Sequence, residues 1–270
     1  MSRVLYLMRH GATPVETPRL FLGRTDAPLS DLGRAQALRW RDALASFPLD
    51  AAWCSPLARA RETALLALSG RGMVRARSTD GTEAATRPQD AEHPKLALDA
   101  KHPALALDAK HPALARQAEH PALNGQTRTA PSAGPAEALI LPELAEIDLG
   151  AWEGLSVEEV RRQFPGQYEA RGRDLAGFRP PGGESFQDVA RRAARALDAM
   201  ARAAGPGPWR ILAVAHAGFN RALLCSLLGI PLERLFCLGQ DHACLSVLSL
   251  DGERPALQAL NLPPGTNPPV

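Results

Sequence analysis

Aromatic residues are scarce in this chain, 5% of the total with only two tyrosines. A surface that stacks successive bases needs aromatic rings interleaved with cations, so single-stranded nucleic acid is not an expected ligand. Net charge is sparse too: 31 Lys and Arg against 29 Asp and Glu leave a formal +2, with no long basic block. Bulk electrostatic capture of DNA or RNA is thereby excluded, and any positive field must be local. The four cysteines, Cys54, Cys225, Cys237 and Cys244, include no Cys-x-x-Cys pair and sit in apolar surroundings. They read as buried free thiols in a reducing compartment, not as disulfides or zinc ligands. No stretch reaches the roughly 20 uninterrupted apolar residues of a membrane span, and the first residues enter a strand without a basic leader. No membrane partner is expected, and a cytoplasmic location is.

What the chain does have is an apolar content of 45%, ample for a core, and two short pieces far apart that carry chemistry. Val4-Leu5-Tyr6-Leu7-Met8 runs into Arg9-His10-Gly11-Ala12-Thr13, and Ile211-Leu212-Ala213-Val214-Ala215 runs into His216-Ala217-Gly218. Each apolar run reads as a buried strand that breaks near a glycine. In α/β proteins such strand ends carry the chemistry. If the two strands are neighbours, an Arg-His pair and a second histidine share one crevice, which suits an anionic, phosphate-bearing substrate attacked by an imidazole.

The pattern predicts β-α-β-α from the start, with strands at 4–8 and 50–54 and helices at 30–47 and about 56–69. Ser30 caps the first helix, and Ser55 with Pro56 starts the second. That puts Arg59 on the same rim as His10. A strand at 138–141, a short helix near 156–163 and a Gly/Pro-rich loop over 165–183 follow. A long amphipathic helix starts at Glu184 or Ser185 and runs to about 204. The strand ending at His216 leads into a helix at about 218–229, and runs 234–238 and 244–250 read as closing strands. Between the two halves lies a nine-residue repeat, His93-Pro94-Lys95-Leu96-Ala97-Leu98-Asp99-Ala100-Lys101 and its copies from His102, His111 and His120. Proline in every unit breaks both helix and sheet, so residues 76–136 read as a low-complexity, disordered insertion. The expected organisation is a single domain from 1–75 and 137–262, with a flexible tail at 263–270. The histidines of the repeat are not presented on one helix face, so no metal site is expected.

Four motifs in order resemble the histidine phosphatase superfamily, with its phosphoglycerate-mutase-like fold. They are Arg9-His10-Gly11, Ser55-Pro56-Leu57-x-Arg59, Leu144-x-Glu146 ahead of Gly150-x-Trp152-Glu153-Gly154, and His216. Gly23-Arg24-Thr25-Asp26, Pro180-Pro181-Gly182-Gly183-Glu184-Ser185 and Gln240-Asp241 look like the α-ribazole phosphatase branch. The resemblance implies a doubly wound three-layer α/β sandwich with a mostly parallel sheet. It implies metal-independent phosphomonoester hydrolysis through phosphohistidine, needing no cofactor, on a small phosphorylated metabolite such as α-ribazole 5′-phosphate. His10 is then the nucleophile, Arg9 and Arg59 hold the phosphoryl oxygens, and His216 donates to them. Glu146 matches the family's proton donor, with Glu143, Asp148 and Glu153 as neighbouring rivals. Gly11, Thr13 and Gly23 are further binding candidates, since glycine backbone can approach a phosphate closely. Many members carry asparagine six residues after the nucleophile, where this chain has Glu16. The rival readings are a phosphoglycerate-mutase-type isomerase and a non-catalytic phospholigand-binding protein. Glu146-Ile147-Asp148-Leu149-Gly150 differs from the Glu-Arg-His-Tyr-Gly run of the mutases.

Overall fold

The computed structural model describes residues 2–14, 20–71, 75–78, 137–252 and 254–270. Seven strands form one sheet: β1 (Arg3–Arg9), β2 (Ala51–Cys54), β3 (Arg75–Ser78), β4 (Glu137–Ile140), β5 (Trp209–Ala215), β6 (Leu245–Ser249) and β7 (Ala256–Leu262). Their order is β3-β4-β2-β5-β1-β6-β7. The first five positions pair in parallel, and β6 and β7 add an antiparallel edge. Parallel sheets are buried on both faces, and β1 alternates between the two: Leu5 and Leu7 face one core cluster, Val4, Tyr6 and Met8 the other.

The helices are α1 (Asp31–Leu38), α2 (Trp40–Ala45), α3 (Ala58–Leu68), α4 (Val157–Gln163), α5 (Gln167–Arg173), α6 (Phe186–Ala204) and α7 (Ala217–Leu228). Residues of α2 and α3 fill one core, and those of α6 and α7 the other. The result is the expected three-layer α/β sandwich with a mostly parallel sheet. Two helix starts are written in the sequence as capping boxes: Ser156 with Glu159, and Ser185 with Asp188.

Several expectations need correction. The helix predicted over 30–47 is two helices, α1 and α2, divided at Arg39. Inside the presumed loop 165–183 lies α5, entered through Gly166 in the left-handed region at φ 77°, where glycine has no steric penalty. The run 234–238, read as a strand, belongs to a 3-10 helix, Leu232–Cys237, started after Pro231. Strand β7 escaped the reading because it is a partly exposed edge without strict alternation. Strand β3 extends the sheet past the expected boundary at residue 75 to Ser78, while the repeat and Glu16 lie outside the described residues. In the tail at 263–270, expected to be flexible, the Pro269 carbonyl accepts from the Tyr6 hydroxyl at 3.0 Å. Of the cysteines, Cys54, Cys225 and Cys244 are buried and Cys237 is exposed; all four are free. Among the described residues no helix is long and apolar enough to cross a membrane.

Candidate active site

Strands β1 and β5 are parallel neighbours, and their register pairs Arg9 with Ala215. The residues that follow, His10 and His216, therefore emerge side by side at the carboxyl edge of the sheet. Backbone bonds fix the first of them: the His10 amide donates to Ala215, and its carbonyl accepts from Ala243, both at 3.0 Å. The two rings stand 5.0 Å apart, centre to centre. Both are buried. The His10 Nδ1 lies 2.7 Å from the Gly11 carbonyl oxygen. A carbonyl only accepts, so Nδ1 carries the proton and Nε2 presents its lone pair. Burial, then the nearby Arg59 and Arg9, hold the His10 pKa well below its ordinary value. Burial, then His10, Arg59 and Arg9, do the same to His216. Both rings are thus kept neutral at ordinary pH.

Two arginines stand near the two rings. Arg9 donates to the Gln240 carbonyl at 2.6 Å and lies 2.7 Å from the Nε2 of His242. Arg59, in the first turn of α3, is buried and donates to the Gly23 and Thr25 carbonyls, each at 2.6 Å. The helix start predicted from Ser55 and Pro56 comes later, at Ala58. The N-cap position is Leu57, two residues past Ser55, whose hydroxyl accepts from the Leu57 amide at 3.3 Å and lies 2.7 Å from His216 Nε2. Asp26 accepts from the Ala58 amide at 2.6 Å.

Glu146 meets the same crevice from the turn after β4. Its Oε1 accepts from the Ile147 and Phe219 amides at 2.9 and 3.0 Å, and its Oε2 from the Gly218 amide at 3.0 Å. The carboxylate therefore caps α7, whose N-cap residue is His216 itself and offers no side-chain cap. One acceptor position on Oε2 stays open. Gly218 makes room for it: a Cβ there would lie 2.5 Å from Oε1.

A family model described as the histidine phosphatase superfamily (branch 1) matches residues 5–83 and 126–263. The chain belongs to the histidine phosphatase superfamily. Its enzyme class is accordingly that of the phosphoric monoester hydrolases. The adenosylcobalamin/alpha-ribazole phosphatase of Salmonella typhimurium is 26% identical over 260 residues, covering 95% of each chain. Phosphoserine phosphatase 1 of Hydrogenobacter thermophilus is 30% identical over 121 residues, 44% of this chain and 56% of that one. Among solved structures, the alpha-ribazole phosphatase of Shigella flexneri superposes with a TM-score of 0.64 at 23% identity, covering 96% of both chains. A mycobacterial glucosyl-3-phosphoglycerate phosphatase complexed with VO3 gives 0.63 at 25% identity, covering 97% of this chain and all of that one.

In this histidine phosphatase the five expected groups, Arg9, His10, Arg59, Glu146 and His216, come together. The glycines do something else. The Gly11 amide, expected to approach a phosphate, donates to the Thr63 hydroxyl at 3.0 Å. A Cβ on Gly11 would meet the Gly33 carbonyl oxygen at 2.4 Å, so close backbone packing requires glycine there. The Gly23 amide is likewise committed, donating to Glu153 at 2.8 Å, while its carbonyl braces Arg59. Thr13 is half-buried near the strand end.

Three further residues support the site, of which the sequence singled out Glu153 alone. Glu153 accepts from the Gly23 amide and from the amide and hydroxyl of Thr25 at 2.7–2.8 Å, fixing the loop that braces Arg59. Buried Arg192 on α6 reaches the Glu143 and Ala145 carbonyls at 2.7 Å, the Glu146 carbonyl at 3.2 Å and the Glu184 carboxylate at 2.8 Å. It pins the turn that presents Glu146. A sequence signal existed: Val189, Ala193, Ala196 and Met200 form the buried stripe of α6, and Arg192 falls on that stripe. His242 stands with its ring 5.7 Å from that of His10. No periodicity marked it.

Proposed function

We propose that this histidine phosphatase hydrolyses phosphomonoesters of small metabolites through a phosphohistidine on His10, without a metal ion. The observation that carries the reading is the 2.7 Å contact between His10 Nδ1 and the Gly11 carbonyl. It leaves Nε2 as a neutral, oriented nucleophile near the buried Arg59 and the partly buried Arg9 guanidinium groups. Nε2 attacks phosphorus while the ester oxygen departs, and Glu146 gives that oxygen its proton. Arg9, Arg59 and His216 hold the phosphoryl oxygens as charge spreads over them. In the second half, the Glu146 carboxylate takes a proton from water, whose oxygen attacks phosphorus and frees His10. Inorganic phosphate leaves, and the proton on Glu146 restores the starting state.

α-Ribazole 5′-phosphate is the first candidate substrate. Relatives named for it align over nearly the whole chain, and the Gly23–Asp26 and Pro180–Ser185 segments match that branch. The test is phosphate release in EDTA from α-ribazole 5′-phosphate, 3-phosphoglycerate and a chromogenic ester, with His10→Ala as the control. Release by the wild type, lost in the variant, is expected, with α-ribazole 5′-phosphate fastest. Undiminished release by His10→Ala would overturn the mechanism. Conversion of 3-phosphoglycerate to its isomer in place of hydrolysis would favour a mutase.

A further inference from the structure

Ser55 and His216 are both completely buried, and their hydrogen-bonding groups can be counted. The Ser55 Oγ accepts from the Leu57 amide at 3.3 Å and lies 2.7 Å from His216 Nε2. His216 Nδ1 has no hydrogen-bond partner among the described residues. Two proton arrangements are open. If His216 Nε2 carried the hydrogen and donated to Ser55, the hydroxyl proton would have no acceptor among the described bonds. The Nδ1 lone pair would be unmet as well. If the Ser55 hydroxyl instead donates to Nε2, only one group is left over, an N–H at Nδ1. Each unmet buried polar group costs free energy, so the second arrangement is favoured.

The remaining N–H is what an anionic oxygen would satisfy, on a ring 5.0 Å from that of His10 with Arg59 and Arg9 nearby. We infer that Ser55 is a positioning residue that locks His216 in its Nδ1–H tautomer, making Nδ1 the hydrogen-bond donor to the phosphoryl group. Neutrality makes the tautomer decisive: a doubly protonated ring would donate from either nitrogen, whereas a neutral ring donates from one. This inference rests on the phosphatase reading for its purpose, but not for its measurement.

The tautomer is read directly from 15N–1H correlation spectra of resting protein labelled at histidine nitrogens, with the His216 signals assigned by their loss in His216→Gln. The wild type is expected to show a protonated Nδ1 and an unprotonated Nε2. Ser55→Ala is expected to mix the two forms and lower kcat about tenfold, the worth of one hydrogen bond at the transition state, with KM within about twofold. A wild-type His216 protonated at Nε2 would overturn the inference, even in an active enzyme. So would Ser55→Ala with unchanged tautomer and unchanged kcat. If Ser55→Ala does not fold, the wild-type spectrum alone decides. Failure of every ester to be hydrolysed would refute the phosphatase reading and leave the tautomer measurement standing.

Discussion

His10 and His216 sit at the ends of adjacent parallel strands, and backbone pairing sets their separation. Glu146 and Arg59 come from a turn and a helix start with no ladder between them, and side chains set their places. Arg192 and Gly218 serve Glu146, while Glu153 and the Gly23 and Thr25 carbonyls serve Arg59. The spacing of the two histidines is thus a by-product of sheet formation, and Ser55, just past β2, adds a side-chain contact to His216. The other half of the site depends on individual polar contacts several residues away from any reacting atom, and should be the easier half to damage without unfolding the protein.

The sharpest separation should come from Gly218→Ala. Alanine suits the first turn of a helix, but its Cβ would press on Glu146 Oε1 from 2.5 Å. The carboxylate must move by a fraction of an ångström or more. We expect kcat to fall about 100-fold, the usual cost of such a displacement, with melting temperature nearly unchanged. Steady-state kinetics and thermal unfolding on the same sample check it. A stable variant with wild-type kcat would break the distinction between the two halves.

Arg192→Met should hurt stability as well as rate. It takes from the Glu184 carboxylate, 19% exposed at its side chain, its shortest ion pair, leaving Arg24 at 3.3 Å and the Asp148 amide at 3.0 Å, and frees the carbonyls at 143, 145 and 146. Removing one partner of a buried pair costs about 3 kcal/mol, readable by urea unfolding. The double variant Arg192→Met/Glu184→Gln should regain part of that stability without regaining kcat, because the turn carrying Glu146 is still unpinned. Full recovery of both would make Arg192 purely structural.

The smallest effect belongs to the strand-end half. His10 and His216 have pKa values well below the ordinary 6.5. Between those lowered values and 6.5 the unfolded chain binds protons that the native rings refuse. Stability is therefore complete above about pH 6.5 and falls as pH drops through that window. His10→Gln should flatten the slope of stability against pH there. The acid limb of kcat/KM should also lie well below pH 6.5 in the wild type. An acid limb at 6.5 would mean that His10 is not held neutral by burial and the arginines.

The contrast also explains what could be read from the chain. Apolar runs ending in Arg9-His10-Gly11 and in His216 identified both strands, because a fully buried parallel strand leaves an unbroken hydrophobic record. The helices starting at Ser156 and Ser185 were legible too, and local capping boxes hold both starts in the structure. The contacts of the loop half are long-range and leave no such record. Arg192 has the same identity as its neighbours Arg191 and Arg195, and only its place on the buried stripe separates it. Glu153 acts on a loop some 130 positions earlier. Ser55 was legible as a polar residue at a helix start, but the partner it prefers, His216, is 161 residues away. Its contact with an imidazole from the end of another strand decides its role, and sequence spacing cannot register that.

The most direct test of the account is to mix enzyme and phosphomonoester, quench rapidly in alkali, where phosphohistidine survives, and locate the phosphate by mass spectrometry of the peptides. Phosphate on His10 within the first turnover, and none in His10→Ala, is the predicted result. Turnover with no phosphate on His10, or with phosphate on another residue, would contradict it.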